Sequence, residues 1–158
     1  MHTRPTCSLL LLISILFICC EDETPLNLEE QVTIQQGIWG QVTFWEGDFM
    51  PPGGSGTITP VVRVIDIHTP TTEADALPLQ SFGPLHDSLL TAQVGSTQSD
   101  EDGFYQIALD TGKFSVFVRE GDAFFAGISD GDGHLQPVRV NSGVVTRLDI
   151  NIDYLAAY

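Results

Sequence analysis

The chain has 158 residues, with six Lys plus Arg set against 21 Asp plus Glu, a formal net charge of −15. That length supports one domain with an ordinary core. So acidic a surface excludes nucleic acid, whose phosphates need a basic stripe, and disfavours docking of the folded body on anionic lipid. A single Lys (Lys113), 15 Gly and nine Pro argue against a helical bundle, whose surface favours Lys, Glu and Ala.

Residues 1–19 have the parts of an export signal. His2 and Arg4 precede the apolar run Leu9-Leu10-Leu11-Leu12-Ile13-Ser14-Ile15-Leu16-Phe17-Ile18, which ends at Cys19-Cys20. The uncharged stretch from Pro5 to Cys20 is 16 residues, shorter than the roughly 20 of a spanning helix, so a cleaved signal is expected. Two cysteines at the cleavage point, followed by Glu21-Asp22-Glu23, resemble a bacterial lipoprotein signal. Phe17 stands where such signals usually have Leu. The resemblance implies a diacylglyceryl group on Cys20, because Cys19 then supplies the small residue before the cut. Cys19 is the alternative acceptor, with bulky Ile18 before it. Two or three acyl chains would hold the protein on the membrane far more firmly than one. The acidic run after the cysteine resembles a surface-export tag, which implies an outer-membrane location facing outward. Cys7, Cys19 and Cys20 are all of the cysteines and all lie before residue 21, so a disulfide, a zinc–thiolate site or a thiol nucleophile is not expected in the folded domain.

Residues 20–36 hold Pro25, five acids and no base, a composition that repels itself and packs poorly, and they read as a flexible tether. The domain is expected over 37–158. Ile38, Gly40, Val42 and Phe44 alternate with Trp39, Gln41, Thr43 and Trp45, the period of a strand. Pro51 to Gly56 reads as a loop, and the β-branched run from Val61 to His68 as a strand. Pro70, Pro78, Gly83 and Pro84 make 69–90 a long connection with a short helix near Glu73 to Leu77. Strands follow at 91–97, 104–109, 114–119, 123–128, 135–140 and 144–152, separated by Asp-Gly, Thr-Gly and Asn-Ser-Gly turns. Turns recurring every eight to twelve residues predict an antiparallel β-sandwich or barrel of about seven or eight strands.

The stretch from Ser99 to Val118, with its Asp102-Gly103 turn, aromatic strand Phe104-Tyr105, second turn at Gly112 and alternation Phe114-Ser115-Val116-Phe117-Val118, resembles the signature of carboxypeptidase regulatory-like domains. Ile38-Gly40-Val42 is similar to their first strand and Val144 to Ile152 to their last. The resemblance implies a transthyretin-like sandwich of two antiparallel sheets.

Chemistry is sparse. A zinc carboxypeptidase needs His-x-x-Glu and a distant His, yet none of His68, His86 and His134 has Glu three residues on. The Tyr-Arg-Gly-Ser ending of transthyretin-like hydrolases is replaced by Asp153-Tyr154-Leu155-Ala156-Ala157-Tyr158. Nucleophile elbows and phosphate loops are absent from the sequence, so no enzyme activity is expected. Isopeptide cross-linking, known in related adhesin domains, is not expected either, because the single lysine sits mid-chain. Asp130 and Asp132, and with them Asp100 and Asp102, are candidate calcium ligands, since carboxylates two apart in a glycine loop can converge on a hard cation; ordinary turn chemistry is the competing role. Trp39 and Trp45 share the more polar face of the first strand, about 20 Å apart, and are candidate stacking rings for a sugar or a partner, unless the Pro51–Gly56 loop or the core covers them. The expected protein is therefore a non-catalytic, lipid-anchored surface module that contacts an envelope protein or glycan. The alternative is calcium-dependent adhesion, with Ca2+ the one candidate cofactor.

Overall fold

The computed structural model describes residues 27–80 and 83–158; the leader and both candidate acylation cysteines, Cys19 and Cys20, lie outside them. Among the described residues twelve strands form two sheets, with 3-10 turns at Leu28–Gln31 and Glu73–Asp75. No described helix is long and apolar enough to cross a membrane.

Each sheet is built on one long strand whose edges are shared by shorter ones. In the five-stranded sheet that strand is β1 (Gly37–Asp48). Its first half pairs antiparallel with β7 (Phe104–Ala108) and parallel with β11 (Val145–Arg147), its second half antiparallel with β2 (Thr57–Pro60) and parallel with β12 (Ile150–Ala157). In the seven-stranded sheet the long strand is β8 (Gly112–Glu120). One edge pairs with β3 (Val64–His68), which carries β6 (Gln93–Gln98) beyond it. The other edge is shared by β10 (Pro137–Val140) and β9 (Ala123–Phe125), and β9 leads outward to β5 (Leu85–Leu89) and β4 (Ala76–Pro78).

The alternation expected from the sequence sets the two faces. Ile38 and Val42 of β1, Ile65 and Ile67 of β3, Val116 and Val118 of β8, and Ile150 and Ile152 of β12 meet Tyr105, Phe125 and Val140 between the sheets. Burial of each such side chain contributes about 1.5–3 kcal/mol. The Tyr105 hydroxyl donates to the Leu148 carbonyl at 2.6 Å, and desolvation raises its pKa far above the usual phenol value. The intervening residue Phe117 points away from that layer into a second, smaller cluster with Ala76, Ala126 and Leu135. The larger sheet is therefore covered on both faces.

Three features differ from the sequence expectation. The long connection over 69–90 contains β4 and β5, and the segment after Gly56 contains β2. The last expected strand is split into β11 and β12, which brings the described strands to twelve. Leu148 and Asp149 step out of the ladder while the register with β1 is kept, Trp39 standing opposite Arg147 and Val42 opposite Ile150. Here the Leu148 N–H donates to Trp39 O (2.7 Å) and the Gln41 N–H to Asp149 Oδ1 (3.0 Å). Gly40 lies under this step, and a Cβ there would collide with the Leu148 carbonyl. Finally, the described end of the expected tether is fastened to the sandwich. Thr33 N–H donates to Gln106 Oε1 (2.9 Å), Gln36 Nε2 to Leu109 O (2.8 Å), and Gly143 N–H to Gln36 Oε1 (2.8 Å).

Candidate functional site

The two acidic loops are copies of one turn. In Asp100-Glu101-Asp102-Gly103-Phe104 the Asp100 Oδ1 accepts the N–H groups of Asp102 and Phe104 at 3.0 and 2.9 Å. In Asp130-Gly131-Asp132-Gly133-His134 the Asp130 Oδ1 accepts those of Asp132 and His134 at 3.0 and 2.8 Å. Both loops also close through the same two backbone bonds, and Gly103 and Gly133 supply φ of 75° and 81°. Such positive φ is nearly free for glycine and costly elsewhere. The first Asp of each run thus organises its loop by side-chain-to-backbone bonding.

Their surroundings differ. The first loop docks on β1, with Gln41 Nε2 donating to Asp102 O and Val42 N–H to Gly103 O. At the second, Asp130 Oδ2 faces His134 Nδ1 at 3.1 Å and the Lys113 ammonium at 3.8 Å. The backbone N–H of His134, aided by that of Asp132, holds the Asp130 carboxyl below its usual pKa. Asp130, Asp132 and His134 offer ligand atoms within 4.8 Å of one another, but the Lys113 charge beside them opposes a cation. Asp100 and Asp102 are not part of that grouping.

The tryptophans are separated by their neighbours. Trp39 is 6% exposed, tilted on Phe104 with ring centroids 6.2 Å apart and capped by the Arg147 guanidinium 5.0 Å from its ring. It lies on the outer face of its sheet, as its alternation predicts, yet is closed off as a stacking surface. Trp45 remains half-buried and begins an aromatic strip. The segment after β1 continues the parallel ladder through Phe49 N–H to Ala157 O (2.8 Å) and then folds back, closing with Gly56 N–H to Asp48 O (2.7 Å). This sets the Phe49 ring over Gly56, where a side chain would clash with it. Phe49 then packs 5.2 Å from Trp45 and stacks 5.9 Å from Tyr158, which is 67% exposed. Ile58, the cross-strand partner of Trp45, is exposed beside it.

Polar groups border the strip. Trp45 Nε1 donates to Thr43 Oγ1 (2.9 Å), Thr43 donates to Asn151 Oδ1 (3.1 Å), and the Tyr158 hydroxyl donates to Asp153 Oδ2 (3.3 Å). Aromatic faces flanked by amide and carboxylate oxygens suit a ligand with apolar C–H faces and hydroxyl edges. Of these rings the sequence pointed only to Trp45. Phe49 and Tyr158 have no strand period to mark them and are brought together by the parallel pairing of β1 with β12.

Asp153 also borders a cavity of about 530 Å3 whose lining includes Glu73, Pro84, His86, Ile128 and Leu135. His86 and His68 both set an edge against the Phe117 ring, at 6.3 and 5.5 Å between centroids. His68 Nδ1 bonds the Thr91 carbonyl at 3.1 Å, whereas its Nε2 and both ring nitrogens of His86 have no partner among the described residues. Burial lowers the pKa of both imidazoles, so each favours the neutral form.

Compared with known protein families, curated proteins and solved structures, the chain matches none.

Proposed function

We propose that this protein is a lipid-anchored module on the outer face of a bacterial envelope, with a carboxypeptidase regulatory-like body that acts by contact and not by turnover. The anchor reading rests on the leader and on Cys20, with Cys19 as the alternative acceptor. The contact reading rests chiefly on one observation, the strip Trp45–Phe49–Tyr158 edged by Asn151 and Asp153. It favours a glycan over a protein partner, because stacked rings edged by hydrogen-bonding oxygens complement a pyranose. Binding of the detergent-solubilised protein to a panel of soluble oligosaccharides tests this. Saturable binding that is lost in Tyr158→Ala and Trp45→Ala supports the reading, and binding that survives both removes it.

The runner-up is calcium-dependent adhesion, with the Asp130–Asp132–His134 grouping as its support. Calorimetry in millimolar calcium distinguishes the two, since a glycan-binding strip produces no heat with calcium alone.

A further inference from the structure

We propose that the cavity beside His86 binds a small organic cation, an ammonium group carried on an apolar body. At about 530 Å3 the cavity is of the size that takes small molecules. Pro84, Ile128 and Leu135 give it apolar walls, Glu73 and Asp153 bring two carboxylates, and none of its described lining residues is Lys or Arg. An anion would be repelled, and an apolar molecule would leave the polar groups unanswered.

His86 supplies the second, independent observation. It is 6% exposed and neither ring nitrogen has a hydrogen-bond partner among the described residues, a state that buried polar groups rarely keep without a ligand or an ordered water. Its strand is fixed on both sides, Pro78 of β4 standing opposite it on one edge and Phe124 of β9 on the other. The imidazole itself turns about a broad terminal torsion, so a nitrogen can reach the cavity while the backbone stays in place. A neutral imidazole has one lone pair to offer, which suits an N–H donor. Burial favours that neutral form. The bound cation would give its proton-bearing face to His86, balance its charge against Glu73 and Asp153, and lay its apolar part on Ile128 and Leu135. A metal ion fits less well, because the described grouping at metal-ligand spacing is Asp130, Asp132 and His134 and contains neither Glu73 nor His86.

This site goes beyond the glycan reading and does not depend on it, although Asp153 borders both. The test is NMR of the imidazole nitrogens in the detergent-solubilised full chain at neutral pH. Benzylamine is the probe and benzyl alcohol its uncharged counterpart. Benzylamine is expected to shift the His86 ring nitrogens saturably, with benzyl alcohol about tenfold weaker because it lacks a charged donor. Glu73→Gln, an exposed change that leaves the fold intact, should weaken benzylamine about threefold. Unmoved His86 resonances in millimolar benzylamine overturn the proposal, as do equal affinity for benzyl alcohol and an affinity untouched by Glu73→Gln.

Discussion

Trp39→Ala and Trp45→Ala should separate stability from binding, although both residues start from the same face of β1. Trp39 is buried against Phe104 and under Arg147. Removing so large a buried ring costs about 3–5 kcal/mol, and a domain of this size loses about 4 °C of Tm per kcal/mol. Trp39→Ala should therefore lower Tm by about 12–20 °C. Trp45 is half-buried and its main partner is Phe49 at 5.2 Å, an aromatic pair of about 0.5–1.5 kcal/mol. Its removal should lower Tm by only about 2–6 °C, yet reduce glycan affinity about thirtyfold, as for a central aromatic anchor. Thermal unfolding by circular dichroism and calorimetric titration of the oligosaccharide measure the two effects on the same samples. Acrylamide quenching of Trp39→Phe and Trp45→Phe checks the premise, since the ring left in Trp39→Phe should be the more accessible. Equal losses of Tm, or unchanged affinity in Trp45→Ala, would refute this assignment.

Acid should destabilise the fold through His68 and His86. Burial lowers both folded-state pKa values below 6.5, so the unfolded chain binds more protons between the folded values and 6.5. Their contribution is complete above pH 6.5 and is lost as pH falls towards the folded values. The urea midpoint should fall as pH drops below 6.5, well before carboxylates titrate, and His68→Gln with His86→Gln should flatten that slope; a midpoint constant across this range contradicts it. Gly40→Ala should destabilise by about 1–3 kcal/mol, because the added Cβ meets the Leu148 carbonyl. Gly131→Ala, which meets nothing within 4 Å, should be neutral or slightly stabilising; chemical denaturation that ranks the two alike would count against the step at Leu148. Millimolar calcium should leave Tm unchanged, whereas occupancy at a hundred times Kd would raise it by about 10 °C.

The legible parts of the fold were those written in local chemistry. Val116 and Val118 against Phe117, and Ile38 and Val42 against Trp39, separate faces by period alone, and Asp102-Gly103 and Asp132-Gly133 name their turns. Pairing is not local. Nothing in β1 itself states that β11 and β12 will lie parallel to it, and the exposed β2 has no apolar face to mark it. Pro78 and Pro84 disguised β4 and β5, although both prolines sit at strand ends, where a missing N–H is tolerated.

The candidate site was less legible for the same reason. Trp45 was visible as an aromatic residue on a polar face, but its difference from Trp39 depends on Arg147 and Phe104, which come from other strands. Phe49 and Tyr158 meet because β1 and β12 run parallel with Asp48 opposite Ala157, a pairing between the two ends of the domain. His86 looked like one of three scattered histidines, and its burial beside a cavity follows from β4, β5 and β9 pairing around it.

The anchored contact module is tested most directly by mass spectrometry of the N-terminal peptide from envelope-purified protein. The predicted result is a mature chain that begins at Cys20 and carries a diacylglyceryl group on its sulfur. A chain that begins elsewhere with an unmodified N-terminus, or one that retains Met1, would contradict it.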